Sequence, residues 1–215
     1  MDIRTRKAIP FEEVDTATLR QALSQFESPD DKIRSMVRRG ELLRVRRGLY
    51  AVAPEYRHTL FSPEVLANLI YGPSYLSLEY ALSWYGMIPE RVSELTSVCL
   101  GRSRSFETGV GNFPYCSTKK VAYVEGYDLI PLQDKRSFLM AVREKALVDL
   151  IENRRNVPIR SRKDMKIRLL EDLRMEETML SELNMERIEY FASLYGSART
   201  RLFLDFLMEL HEKRR

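Results

Sequence analysis

Cysteine and histidine, the residues that build most metal sites, are scarce in this sequence. The chain has 215 residues and only two of each. Cys99 and Cys116 are far apart, form no CxxC motif and have no histidine near them, so we expect two reduced thiols, no metal site and no cofactor. His58 and His211 fall in a predicted linker and a predicted terminal helix, where neither suits a general base in a cleft. We therefore predict no catalytic residue and a protein that is not an enzyme.

Long apolar runs are also missing. No stretch reaches the length needed to span a membrane, and the N-terminus lacks the apolar core of a signal peptide. Hydrophobic residues make up 44% of the chain and charged residues 31%, the ordinary mixture of a globular protein. We expect a protein of the reducing cytoplasm with no membrane partner.

Positive charge is present and unevenly distributed. The formal net charge is +4 and the sequence pI is about 9.0. Positions 58–151 are close to neutral in net charge. Between positions 32 and 47 Glu41 is the single acid, and the basic residues are Lys32, Arg34, Arg38, Arg39, Arg44, Arg46 and Arg47. This local concentration favours an acidic partner such as nucleic acid.

The basic segment begins with a helix pattern. Ser28 is a suitable N-cap, Pro29 fits the first turn, and the two acids that follow match the positive end of the helix dipole. Gly40 predicts the end of this helix. Before it, a helix capped by Asp15 or Thr16 is expected to run to about Phe26. Two short helices with a tight junction are typical of a helix-turn-helix, in which the second helix reads DNA.

A basic hairpin follows directly. Leu43 and Val45 alternate with Arg44 and Arg46, which predicts a strand with both arginines on one face. The pair Arg47-Gly48 predicts a turn, and positions 49–52 return as a second strand. Helix, helix and arginine-tipped hairpin together predict a winged helix-turn-helix. The alternative is an ordinary solvated surface with a charged strand edge.

The rest of the chain predicts an α+β fold. Positions 53–60 form a linker, helices are expected from Ser62-Pro63 to Gly72 and from about Leu76 to Tyr85, and a long amphipathic helix from Ser137 to Glu152. Strands are expected at 94–100, 103–108, 112–117, 120–124 and 129–132, and helices from about position 162 onward. We divide the chain into a winged helix-turn-helix domain, 1–57, and an α+β domain with a helical C-terminal region, 58–215.

Four segments in this order carry a family likeness: RRGELLRVRRGLYAV, SPEVLANLIYGPSYLSLEYALSWYGMIPER, LTSVCLGRSRSFET and MAVREKALVDLI. They resemble the AbiEi family, the antitoxin and transcriptional-regulator halves of abortive-infection, type IV toxin–antitoxin pairs. The resemblance covers most of positions 36–152. It implies an N-terminal winged helix-turn-helix that represses its own operon. It also implies a second domain that neutralises a nucleotidyltransferase-like toxin without needing a stable complex.

On this interpretation the DNA-binding residues follow from their place in the motif. The second helix contributes Lys32, Arg34, Ser35, Arg38 and Arg39, and the wing contributes Arg44, Arg46 and Arg47. A possible second basic patch for phosphate or a nucleic-acid backbone consists of Arg102, Arg104, Lys119 and Lys120. The partner is the double-stranded DNA of the protein's own promoter, bound by a possible homodimer.

Two other functions remain open. Metal-dependent nucleases need clustered carboxylates with a lysine, for which the candidates are Glu79, Glu94, Glu107 and Lys119, although no tight motif joins them. A protein-interaction module whose basic hairpin binds an acidic partner is the other alternative. A cluster of aromatic residues is expected either to stack on nucleic acid or to pack in the core: Tyr75, Tyr80, Trp84 and Tyr85. The apolar C-terminal helices are expected either to form a dimer face or to cover the middle of the chain.

Overall fold

The computed structural model describes residues 1–154 and 157–212. It has a mixed α+β fold with two sheets, which confirms the predicted α+β class, while the N-terminal winged helix-turn-helix stays a prediction. Buried apolar side chains form a small cluster, drawn from residues 9–52, and a large cluster that includes Leu49 of the N-terminal hairpin. We call residues 1–57 the N-terminal region and residues 58–212 the C-terminal region. A domain boundary at residue 57 stays a prediction.

The N-terminal region alternates short helices and strands. Its elements are α1 (Ile3–Ala8), β1 (Glu13–Asp15), α2 (Thr16–Ala22), α3 (Pro29–Arg38), β2 (Leu42–Arg46) and β3 (Leu49–Val52). The sequence did not predict α1 and β1. Helix α2 ends at Ala22 rather than near Phe26, because its last turn closes through a bond from the Ser24 amide to the Gln21 carbonyl, 3.2 Å long.

Local capping explains where α2 and α3 begin. The side chain of Asp15 accepts from the amide of Thr18 at 2.7 Å, and that of Ser28 accepts from the amide of Asp31 at 3.4 Å. Both caps agree with the sequence prediction, as does the positive φ of Gly40, +70°, just after α3.

The hairpin forms where it was predicted. Strands β2 and β3 pair in antiparallel fashion, and β1 adds to β3 to complete a three-stranded sheet. Gly48 lies in the turn with φ +82°, a conformation that favours glycine. The pairing has an irregularity between Arg44 and Arg46, so the two arginines do not continue one regular alternation.

The segment predicted to be a linker is held in place by hydrogen bonds. It contains a short 3-10 turn, Pro54–Tyr56, followed by residues bound to the buried carboxylate of Glu12. Oε1 of Glu12 accepts from the amides of His58 and Thr59 at 3.0 and 2.7 Å, and its charge is paired with Arg6. The two regions are therefore connected through fixed backbone.

The C-terminal region is built on a six-stranded mixed sheet of order β6-β7-β5-β4-β9-β8. The elements up to α7 are α4 (Pro63–Ile70), β4 (Ser74–Leu76), α5 (Leu78–Trp84), β5 (Ser97–Cys99), β6 (Arg104–Thr108), β7 (Gly111–Ser117), α6 (Lys120–Tyr123), β8 (Tyr127–Pro131), β9 (Ser137–Ala141) and α7 (Arg143–Asn153). Ser62 caps α4 by accepting from the amide of Val65 at 3.2 Å, as its sequence context predicted.

Two predicted elements of this region are wrong. The strand expected at positions 120–124 is the short helix α6. The single helix expected from Ser137 to Glu152 is two elements, β9 and α7, with Val142 between them as the cap of α7. Strand β9 pairs in parallel with β4 through Met140 and Leu76, a long-range partner that a local pattern does not reveal.

The tail is helical, as predicted. Its elements are α8 (Arg162–Lys166), a π-helical turn (Ile167–Asp172), α9 (Glu177–Ser181), α10 (Met185–Tyr195) and α11 (Ala198–Glu212). Phe203, Phe206 and Leu207 of α11 are buried in the large cluster, so this face covers the middle of the same chain. Within the two described ranges no helix is long and apolar enough to cross a membrane.

Candidate nucleic-acid interface

A groove between α3 and the hairpin gathers several of the predicted DNA-binding residues. Ile33 and Met36 bury the inner face of α3 in the small apolar cluster, which directs the opposite face to solvent. The groove has a volume of about 440 Å³ and is lined by Asp31, Ile33, Arg34, Val37, Arg38, Arg44 and Tyr50. Helix and hairpin thus place guanidinium groups along one concave surface.

Three of the predicted cations already have partners. Arg34 forms an ion pair with Asp31 one turn earlier in α3. Lys32 lies 3.9 Å from the carboxylate of Asp2 and 4.3 Å from the ring centroid of Phe26. The third, Arg39, binds Glu41 through two hydrogen bonds of 3.0 and 2.9 Å. Their contacts stabilise the N-terminal region itself.

Two further predicted residues are also engaged. The hydroxyl of Ser35 accepts from Nη1 of Arg39 at 2.7 Å. Arg46 donates from Nη2 to the carbonyl oxygen of Leu69 in α4, 3.1 Å away, so its head lies against the C-terminal region. The irregular pairing after Arg44 separates these two arginines of β2.

The remaining three predicted residues are exposed: Arg38 on α3, Arg44 on β2 and Arg47 in the hairpin turn. Within residues 1–154 and 157–212 none of their guanidinium groups makes a hydrogen bond or an ion pair. An unpaired guanidinium is ready to bind a phosphate or a base edge, because it gives up no internal contact on binding. A DNA-binding role for all eight residues stays a prediction, and these three arginines are its strongest candidates.

The four residues of the possible second basic patch lie on two segments of the chain, one at β6 and one after β7. Arg104 lies on β6, which contacts β2, and its guanidinium is 5.5 Å from the ring centroid of Tyr71. Arg102 lies just before β6, outside the strand. Lys119 donates to the carbonyl oxygen of Tyr195 at 2.9 Å, and Lys120 is the first residue of α6. A common binding surface for the four stays a prediction.

The acids considered for a nuclease have separate partners. Glu79 binds Nε of Arg154 at 2.6 Å, and Glu94 accepts from the side-chain amide of Asn112 at 2.6 Å. Glu107 is exposed on the edge strand β6. In the described part of the chain, no group of three or more His, Cys, Asp or Glu side chains is suited to hold a metal ion.

The aromatic residues considered for base stacking mostly pack inside the protein. Tyr75 is fully buried, the hydroxyl of Tyr80 donates to Glu64 at 2.5 Å, and that of Tyr85 donates to the carbonyl of Ala141 at 3.1 Å. Trp84 is 49% exposed and meets Phe138 edge-to-face. These contacts favour core packing over base stacking.

A buried charge network in the C-terminal region was missed by sequence reasoning. Lys145 and Asp149, one turn apart on α7, are both 0% exposed and form an ion pair. Asp149 accepts from the hydroxyls of Tyr195, Ser77 and Tyr75 at 2.6, 2.8 and 3.0 Å. Burial, with the charge of Asp149, raises the pKa of both tyrosines, which keeps them neutral donors. In the sequence, this network is indicated only by the four-residue spacing of Lys145 and Asp149 within an apolar helix face.

Comparison with known proteins bears on the N-terminal region. Residues 11–53, from just before β1 to the end of the hairpin, match the family model "Transcriptional regulator, AbiEi antitoxin". The resemblance to the AbiEi family is confirmed within residues 11–53, and for the segments beyond residue 53 it stays a prediction. The AbiEi match contains α3 and the hairpin, and therefore Arg38, Arg44 and Arg47.

Among solved structures, the crystal structure of the RV2827C protein from Mycobacterium tuberculosis is similar to this chain. The TM-score is 0.59 at 17% sequence identity, with 99% of this chain and 80% of that chain covered. At this identity the likeness shows the fold alone, and it extends well beyond the AbiEi segment. A search among curated proteins gave no significant match.

Proposed function

We propose that this protein is a DNA-binding transcriptional regulator and antitoxin of the AbiEi type. Residues 1–57 act as a winged helix-turn-helix, with α3 in the major groove and the hairpin as the wing. The observation that carries the proposal is that Arg38, Arg44 and Arg47, in the segment that matches the AbiEi family, have no hydrogen-bond or ion-pair partner among the described residues.

The three arginines have different roles. Arg38 projects from the reading helix and contacts base edges, where a guanidinium discriminates guanine. Arg44 and Arg47 bind phosphates, which makes the affinity fall steeply as salt rises. Arg104, on β6 of the large sheet, which contacts β2, extends the phosphate contacts beyond the wing.

The target is the promoter of the protein's own operon, so binding represses its own synthesis. The functional partner is a nucleotidyltransferase-like toxin, which residues 58–215 counteract without a stable complex. Two copies on a two-fold repeated operator would give each reading helix its own half-site.

The test is fluorescence anisotropy with the purified full chain. The probes are a duplex from the DNA upstream of its gene and a scrambled duplex of equal length, each measured over a salt series. We expect at least tenfold tighter binding to the native duplex, about 1.4 kcal/mol, with a steep salt slope. Equal binding to both duplexes refutes specific regulation, and no binding at low salt favours the protein-interaction alternative.

Two substitutions then separate reading from phosphate binding. Arg38→Ala should reduce the preference for the native duplex, whereas Arg47→Ala should weaken both duplexes about equally and lower the salt slope by about one. Arg20→Ala is the control, since Arg20 lies on α2, is paired with Asp30 and is not among the eight predicted DNA-binding residues. Equal, small effects of Arg38→Ala and Arg47→Ala would reject these roles.

A further inference from the structure

The hairpin proposed to bind DNA is attached to the C-terminal region by one of its faces. Leu49 is 2% exposed and belongs to the large apolar cluster, and Val45 packs against the same cluster. Arg46 adds its hydrogen bond to the carbonyl oxygen of Leu69. The orientation of the hairpin therefore depends on the C-terminal region as well as on α3.

A buried ion pair fixes the third strand of the same small sheet. Glu13 lies on β1 opposite Ala51 of β3, and its carboxylate accepts hydrogen bonds from Arg136 and from the amide of Ser62. The side chain of Glu13 is 0% exposed and that of Arg136 is 9% exposed. Burial raises the pKa of Glu13, which makes the contact with Arg136 the more important for holding its charge.

Arg136 is itself held on three sides. It lies between β8 and β9, at the far end of the large sheet from β6. Its Nε donates to Asp134 at 2.8 Å, its Nη2 donates to the carbonyl of Leu60, and its guanidinium lies 5.4 Å from the ring centroid of Phe11. One side chain thus connects the turn before β9, the predicted linker and β1 of the N-terminal region.

We propose that Arg136 is a positioning residue for DNA recognition: through Glu13 it sets the angle of the three-stranded sheet, so that α3 and the hairpin meet DNA as one preset surface. This inference rests on the proposed function. Preset geometry matters most for specific binding, where base contacts and phosphate contacts must form together. Non-specific binding needs only exposed charge, and Arg136 contributes none because it is buried.

The first experiment measures, in the absence of DNA, how the three-stranded sheet is oriented relative to the C-terminal region. Spin labels at positions 47 and 205, both exposed, report the distance between the hairpin turn and α11, with Cys99→Ala and Cys116→Ala removing the native thiols. We expect Arg136→Gln to broaden the distance distribution and Arg136→Lys to give an intermediate width. An unchanged distribution in Arg136→Gln overturns the proposal, whatever the protein does with DNA.

The second experiment measures affinity for the native and the scrambled duplex. Arg136→Gln should lower the affinity for the native duplex at least tenfold and leave the affinity for the scrambled duplex within about threefold. If Arg136 only stabilises the fold, Arg136→Gln should lower both affinities together, in proportion to the unfolded fraction. That result would overturn the proposal. If Arg136→Gln does not fold, Arg136→Lys supplies the comparison, because it keeps the charge next to Glu13. Failure of the wild type to prefer its native duplex would reject the proposed function and leave the distance measurement standing.

Discussion

Arg39 clamps the carboxylate of Glu41 with two hydrogen bonds, of 3.0 and 2.9 Å from Nε and Nη2. Its neighbour Arg38 is exposed and makes no such bond in the described part of the chain. Two arginines that are adjacent in the sequence therefore have different roles. One joins the end of α3 to the start of the hairpin, and the other is available to a ligand.

The first prediction separates these two arginines. Arg39→Ala leaves Glu41, which is 6% exposed, without its guanidinium partner, and should lower the free energy of unfolding by about 1 kcal/mol. Arg38→Ala should change stability by less than about 0.5 kcal/mol. Urea unfolding measures both, and anisotropy on the native duplex should show the larger loss of affinity for Arg38→Ala. The reverse ranking in either assay would contradict the division.

The second prediction concerns acid. The hydrogen bonds from Arg39 lower the pKa of Glu41 below its usual 4.5, against an opposing effect of burial. Because the pKa is lower in the folded state, the carboxylate contributes stability that is present above about pH 4.5 and is lost as the pH falls through the folded pKa. Urea unfolding between pH 7 and pH 3 should show a shallower loss for Glu41→Gln than for the wild type. Parallel curves would exclude this carboxylate as a source of acid sensitivity.

Local chemistry made much of the N-terminal region predictable. The N-caps at Asp15 and Ser28, and the glycines after α3 and in the hairpin turn, act within a few residues of themselves. Such signals give helix starts, a helix end and a turn without knowledge of the rest of the chain. The eight DNA-binding candidates came from the same segment.

Long-range contacts account for what could not be predicted. That Arg46 is engaged depends on the carbonyl oxygen of Leu69, which is distant from it in the sequence. The split of positions 137–153 into β9 and α7 depends on the pairing of Met140 with Leu76 in β4. Apolar residues in such a stretch satisfy a helix pattern and a buried-strand pattern alike.

The third prediction concerns the buried pair in α7. Asp149→Asn leaves the ammonium of Lys145 buried without a counter-charge and should lower the free energy of unfolding by about 3–5 kcal/mol. Adding Lys145→Met removes that charge, while the remaining amide oxygen still accepts from the hydroxyls of Ser77 and Tyr75. The double variant should therefore be more stable than Asp149→Asn alone in urea unfolding. Equal stability of the two would argue that the loss comes from the tyrosine hydrogen bonds.

The fourth prediction concerns Gly126, which packs against the same lysine. Its φ is +87°, and an added Cβ would lie 2.8 Å from Cγ of Lys145 and 2.8 Å from Cε1 of Phe191. Gly126→Ala therefore combines an unfavourable backbone conformation with overpacking and should cost about 2–4 kcal/mol of unfolding free energy. Gly109→Ala is the matched control, since a Cβ there meets nothing within 4 Å and its φ lies outside the left-handed range. It should change stability by less than about 0.5 kcal/mol. Moving Lys145 aside would disturb its ion pair with Asp149 and its hydrogen bond to the hydroxyl of Tyr75. Urea unfolding of both variants decides the matter, and a Gly126→Ala protein as stable as the Gly109→Ala control would mean that this core is looser than its contacts indicate.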